Sequence, residues 1–209
     1  VPFAIGSETL GSIVSPSTRW SVTGLRPTFG RVSKYGAMAL SWSMDKLGPI
    51  CRSANDCAIV LDFIRGADEL DISTISAGFS LPKLASLKGL KIAYLKDLFD
   101  DDYSFSSNDQ QALEIFREMG ADLQAISLPD DLPVGALRII LNAEAAAAFD
   151  DLTRSDRDSL LVSQSNWSWP NSFRTSRFIP AVEYIQANRI RSVLIRQVHD
   201  LFKEFDVII

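Results

Sequence analysis

The chain has one histidine and two cysteines among its 209 residues, and no apolar run approaches the ~18 residues that a membrane-spanning helix requires. The lone histidine, His199, stands between Val198 and Asp200 in a helical stretch. A partly exposed surface position is expected there, and a Ser-His-Asp relay finds no support. Cys51 and Cys57 are too few for a disulfide framework and too oddly spaced for zinc, so buried free thiols are expected. They fit a reducing compartment, with the cytoplasm as the default location. Positive charge is also short: 21 Lys and Arg against 26 Asp and Glu leave a net charge of −5. That excludes a general nucleic-acid binder, which needs basic surface to displace phosphate counterions. Asp100, Asp101 and Asp102 form an acidic run without matching metal ligands, so a solvated loop is expected. Neither a metal nor a cofactor is implied.

What remains is a chain 46% apolar and 22% charged, ample for a sizeable core. Residues 1–5 read as a buried strand and residues 6–50 as a long Gly-, Ser-, Pro- and Thr-rich section. A section of such length outside regular structure is usually functional. A helix follows, with Ser53 as N-cap, Asp56 three residues on and Gly66 as its stop; its apolar positions are Ala58, Ile59, Leu61, Phe63 and Ile64. Residues 75–89 read as a polar connector and 90–95 as a strand. Residues 106–121 read as a helix boxed by Ser107 and Gln110, and 122–128 as the next strand. Strand, amphipathic helix, strand predicts a βαβ unit. Residues 133–152 and 179–205 read as helices, with Pro180 suited to a first turn. The fold class is α/β. A chain that opens on Val in one strand and stops at "DVII" in another is expected to be an internal piece of a longer protein.

The chemistry concentrates in "GSETLGSIVSPS", residues 6–17. A glycine-containing turn leaving a strand can aim several backbone N–H groups one way, and Gly11 leaves room for a substrate beside Ser12. A serine there is a nucleophile only if a base takes its proton. The same residues also suit a plain loop. Ser7, Ser15 and Ser17 read as turn and cap residues. Lys34 and Lys46 read as solvated surface lysines, since a base lysine must be desolvated. The aromatic cluster at 166–174 reads either as a pocket wall or lid or as simple packing.

Residues 6–62 resemble the amidase signature family along their whole length. The landmarks are the G-S-acid-T-x-G-S-I core (6–13), Pro16, "GLRPTFGRVS" (24–33), "YG" (35–36), "SMDKLGP" (43–49) and "RSANDCAIVL" (52–61). Beyond residue 62 the likeness loosens, though "PAVEYIQANRIR" (180–191) and "FDVII" resemble a later helix and strand of the family. The resemblance implies a mixed β-sheet core covered by helices on both faces, with 1–209 an incomplete single domain (signature segment 1–66, remainder 67–209). It implies hydrolysis of a carboxamide to carboxylate plus ammonia or amine through a Ser–cis-Ser–Lys relay. The nucleophile falls on Ser12, and the oxyanion-hole amides fall on Thr9, Leu10, Gly11 and Ser12.

The relay's lysine and cis-serine precede residue 1 in the family pattern, so the 209 residues alone are expected to be catalytically silent. The implied partner is a small-molecule amide, with a second copy of the chain as a further candidate. The family also includes the glutaminase (A) subunit of an aminoacyl-tRNA amidotransferase, which works with partner subunits. The chain departs from the common pattern at Glu8 (usually Asp), Leu10 (usually Gly), Val14 (often an Arg that pairs with the acid) and Trp20 (usually small). The first and third together suggest that one salt bridge has been exchanged for another. Trp20 is expected to narrow a pocket or fill core space.

Overall fold

A computed structural model describes residues 1–81, 86–128 and 133–209. In chain order the elements are β1 (Phe3–Glu8), α1 (Val14–Arg19), β2 (Thr23–Gly24), β3 (Lys46–Cys51), α2 (Ala54–Ile64), β4 (Lys91–Leu95), α3 (Lys96–Phe99), α4 (Ser106–Glu118) and β5 (Asp122–Ile126). There follow α5 (Leu137–Ala148), α6 (Asp150–Arg154), α7 (Trp169–Ser176), α8 (Ala181–Leu201) and β6 (Val207–Ile208). The chain gathers into two compact units, one of Val1–Leu81 with Arg138–Ile185, the other of Pro82–Leu137 with Gln186–Ile209. The expected polar connector at 75–89 falls partly on residues 82–85, outside the described residues; its remainder lacks regular structure apart from a short turn.

The first unit is built on an antiparallel sheet of order β1-β3-β2, with Phe3 opposite Cys51 and Glu8 opposite Lys46. The strand expected at 1–5 thus lies at 3–8, and residues 1–5 are exposed rather than buried. Among the described residues β1 pairs only with β3, which leaves its outer edge open. The packing beneath the sheet is set by Ile13, whose side chain is fully buried. A Cβ placed on Gly6, Gly24 or Gly48 would lie 3.1, 2.9 and 3.2 Å from Ile13 atoms. Each of the three strands therefore presents a bare backbone to the same isoleucine. Helix α2 starts as its sequence requires, with the Ser53 hydroxyl accepting from the Asp56 amide at 3.1 Å. It buries Cys57, Ala58 and Leu61, whereas Ile59 and Phe63 are exposed.

The second unit carries a parallel sheet of order β5-β4-β6, with Lys91 opposite Asp122 and Ile92 opposite both Leu123 and Val207. Strand β4, helix α4 and strand β5 form the expected βαβ unit, and the terminal "DVII" supplies β6. The capping of α4 differs from expectation. Ser107 lies inside the helix and the N-cap is Phe105, without a side-chain cap. The preceding turn takes that place: Ser106 donates its amide to Tyr103 and Asn108 its amide to Phe105, and Gln110 reaches the Phe99 carbonyl instead. The class is α/β, with antiparallel and parallel strands in separate sheets among the described residues.

Candidate active site

Strand β1 ends at Glu8, and residues 9–13 form the turn into α1. Ser12 sits exposed at the crest of this turn and lines a cavity of about 410 Å³. Ile13, the next residue, is locked under the sheet, so the serine is held at the surface by its neighbour's burial. The backbone demand in the turn falls on Gly11, with φ +90° and open space for 4 Å around the point where a Cβ would stand. Leu10 is not among the residues with positive φ, which is why a leucine is tolerated where the family usually has glycine.

Glu8 organises the turn from below. Its side chain is fully buried, and its Oε2 accepts the amides of Ile13 (2.8 Å) and Val14 (3.1 Å). Burial alone would raise its pKa, but the amides of Ile13, Val14 and Gly11, together with the Arg26 charge, hold it below the ordinary value. Arg26 lies 3.4 Å from Oε1 with its own side chain half exposed. The salt bridge expected to have been exchanged is therefore present, its cation coming from the segment after β2 in place of position 14. Among the described residues no acceptor meets the amides of Thr9, Leu10 or Ser12.

A second carboxylate ties the turn to the cavity wall. Asp45 accepts the Thr9 hydroxyl at 2.5 Å on Oδ1, and the Leu40 and Ser41 amides at 2.8 and 3.0 Å on Oδ2. The same loop is held from its other side by Glu144 on α5. This buried carboxylate accepts the Ser41 hydroxyl (2.6 Å), the Ser43 amide (3.0 Å) and hydroxyl (2.7 Å), and the Tyr184 hydroxyl (2.9 Å). Burial pushes its pKa up, and these four donors bring it below the ordinary value. Trp42, between the two serines, walls the Ser12 cavity on one side and a second cleft of about 680 Å³ beside Glu144 on the other.

Several expectations need correction. Lys34 is not a solvated lysine: its side chain is 15% exposed and pairs with Asp71 at 3.2 Å, with Ser73 at 2.6 Å. Lys46 is half-buried, with its ammonium against the Thr9 and Met44 carbonyls. Burial, reinforced by Arg26, lowers its pKa against the opposing Glu8 and Asp45 charges. Ser7 is a strand residue lining the cavity, not a turn residue. Ser15 lies within α1, and Ser17 is buried there with its hydroxyl on the Ile13 carbonyl at 2.7 Å; neither is a cap. Trp20 is 78% exposed and neither narrows the cavity nor fills core. The aromatic cluster divides: Phe173 is buried and stacks on Phe149 and Trp169, with centroids 4.6 and 5.6 Å away, whereas Trp167 is exposed.

His199 is exposed on α8, Asp100–Asp102 lie in an exposed segment, and both cysteines are buried. Among the described residues no group of three His, Cys, Asp or Glu is placed to hold a metal, and no helix is long and apolar enough to cross a membrane.

A family model described as Amidase matches residues 1–209. The A subunit of the glutamyl-tRNA(Gln) amidotransferase of Bacillus velezensis is 31% identical over 100% of this chain and 48% of its own length. Its counterpart in Chromohalobacter salexigens is 38% identical over 75% of this chain and 33% of its own length. Among solved structures, the A subunit of the Thermotoga maritima amidotransferase superposes with a TM-score of 0.80 at 25% identity, covering 100% of this chain and 46% of that one. A protein described as a vestigial complex revealing the origins of an s-triazine catabolic enzyme gives 0.82 at 30% identity, covering 100% and 45%. The chain spans about half the length of the curated relatives it matches.

Proposed function

The chain belongs to the amidase family, and on that footing we propose that it forms part of a longer amidase whose nucleophile is Ser12. The observation that carries this reading is the placement of an exposed serine on a strand-to-helix turn, beside a cavity and next to unpartnered main-chain donors. Ser12 Oγ attacks the carboxamide carbon as its proton passes through a bridging serine to a neutral lysine. Both of those residues belong, by the family pattern, to sequence ahead of residue 1. The amides of Thr9, Leu10 and Ser12, which no acceptor meets among the described residues, are the donors for the oxygen on which charge develops, worth ~2.7–4 kcal/mol each; the Gly11 amide, expected to join them, is taken by Glu8. Collapse of the adduct breaks the C–N bond, and the nitrogen leaves with a proton as ammonia or amine. Water then attacks the acyl-serine, releasing carboxylate and restoring the hydroxyl. Residues 1–209 are part of one catalytic domain, with the signature segment at 1–66.

The test is hydrolysis of a panel of amides by the full-length protein. Ser12→Ala should remove turnover by at least ~10³-fold. Turnover unchanged in that variant rejects the assignment.

A second reading is favoured by the names of the curated relatives, which are amidotransferase A subunits. There the ammonia released from glutamine passes to a partner subunit instead of water. Co-purification of a second chain, with tRNA amidation dependent on glutamine, distinguishes this reading from a free-standing amidase.

A further inference from the structure

Thr9 is held twice by the residues that open β3. Its hydroxyl donates to Asp45 Oδ1 at 2.5 Å, and its carbonyl oxygen accepts from the Lys46 ammonium at 3.3 Å. The same ammonium donates to the Met44 carbonyl, so Nζ bridges the loop before β3 and the turn after β1. Strand register accounts for the reach: Lys46 lies opposite Glu8, the last residue of β1, and Thr9 comes next. A peptide is planar and trans, so its C=O and N–H point in opposite directions. Fixing the Thr9 carbonyl on Lys46 therefore fixes the Leu10 N–H on the far side of that peptide. A cation on the carbonyl oxygen also draws charge from the peptide nitrogen, which makes its N–H a stronger donor.

From this geometry we infer that Lys46 is a positioning residue for the reaction at Ser12: its ammonium orients and polarises the Thr9–Leu10 peptide, whose N–H is a donor to the developing oxyanion. The inference rests on the amidase reading of Ser12 and adds a cation that acts through the main chain without touching substrate. The working form of Lys46 is the charged one, the reverse of a base lysine. Burial and the Arg26 charge, from the segment after β2, weaken its hold on the proton. Glu8 on β1 and Asp45 beside it oppose them, and the balance lies below the ordinary 10.5. As pH rises through that balance, the Thr9 carbonyl loses its cation and the Leu10 donor weakens. Charge on the reacting oxygen develops only in the transition state, so the effect falls on the chemical step and not on binding.

The experiment follows phosphonylation of Ser12 in the full-length protein by a fluorophosphonate, whose phosphoryl oxygen gains charge among the same donors whatever the natural amide. Lys46→Met keeps an apolar stem without the ammonium. It should lower the limiting rate, kinact, at least ~10-fold and leave KI within about twofold, where outright removal of an oxyanion donor costs ~10²–10³. Lys46→Arg keeps a cation that does not titrate, and should hold kinact within about threefold of wild type at pH 8. Between pH 8 and 10.5 the wild-type rate should fall at least ~3-fold relative to Lys46→Arg, a divergence that a merely structural lysine does not produce. If Lys46→Met does not fold, this pH comparison decides alone. Ser12 labelling with kinact unchanged in Lys46→Met, or a ratio of wild type to Lys46→Arg that stays flat with pH, overturns the inference and leaves the nucleophile standing. Wild-type protein that takes no label at Ser12 overturns both.

Discussion

Replacing Glu8 by Ala should destabilise the protein by about 3–5 kcal/mol, with most of that cost arising from two backbone amides. The side chain is fully buried and a single oxygen, Oε2, holds the N–H groups of Ile13 and Val14. A hydrogen bond to a charged group contributes ~1.5–3 kcal/mol, and an abandoned buried donor costs ~1–3 kcal/mol. Glu8→Gln can keep a carbonyl oxygen where Oε2 stands, so it should forfeit only the charge assistance, roughly 1–2 kcal/mol. Arg26→Ala should cost ~0–1 kcal/mol, because the guanidinium is half exposed and 3.4 Å away. The order Glu8→Ala, Glu8→Gln, Arg26→Ala is therefore the signature of a carboxylate held by the turn and not by its cation. Urea unfolding of the full-length variants at unchanged m measures it. Amide hydrolysis should fall in the same order, since the freed amides flank Ser12. Arg26→Ala as damaging as Glu8→Ala would refute the reasoning.

Gly11→Ala meets no atom within 4 Å but forces an L-residue to φ +90°. It should cost ~1–3 kcal/mol of local strain and lower kcat more than it raises KM; a kcat equal to that of wild type contradicts the role given to this turn. Glu144 has a pKa depressed below 4.5, so its contribution is present above pH 4.5 and is lost as pH falls through the folded-state value. Wild type should accordingly lose stability faster than Glu144→Gln below pH 4.5, and parallel urea-midpoint curves would count against the four-donor network. The Cys57 thiol, pushed up to about 11 by burial and by Cys51, should resist iodoacetamide at pH 8 alongside the buried Cys51. Two labels should appear only on unfolding, and rapid labelling of the native protein would show that the α2–β3 packing is looser than described.

Features set by neighbours along the chain were legible in the sequence. The Ser53 cap, the βαβ order of β4, α4 and β5, and the terminal strand β6 each depend on spacing within a few residues. The expected Ser107 cap shows the limit of such spacing, since the turn at Tyr103 and Phe105 places the N-cap of α4 two residues earlier. Contacts formed across the fold left little local trace. Thr9 meets Asp45 across 36 positions, Lys34 meets Asp71 across 37, and Ser41 meets Glu144 across 103. Burial of Lys34 and Lys46 was consequently unreadable, as was the fact that Arg26, not position 14, pairs with Glu8. The motif core itself pointed to the turn at 9–13, but the reason Ser12 is held there is Ile13 packing on Gly6, Gly24 and Gly48, residues scattered over three strands.

The central claim is that the Ser12 oxygen carries the acyl group. Incubating the full-length protein with a fluorophosphonate, followed by peptide mass spectrometry, tests it directly. A single adduct on the peptide containing Ser12, absent from Ser12→Ala, is the predicted result; an adduct on another serine, with amide turnover lost in parallel, would contradict it.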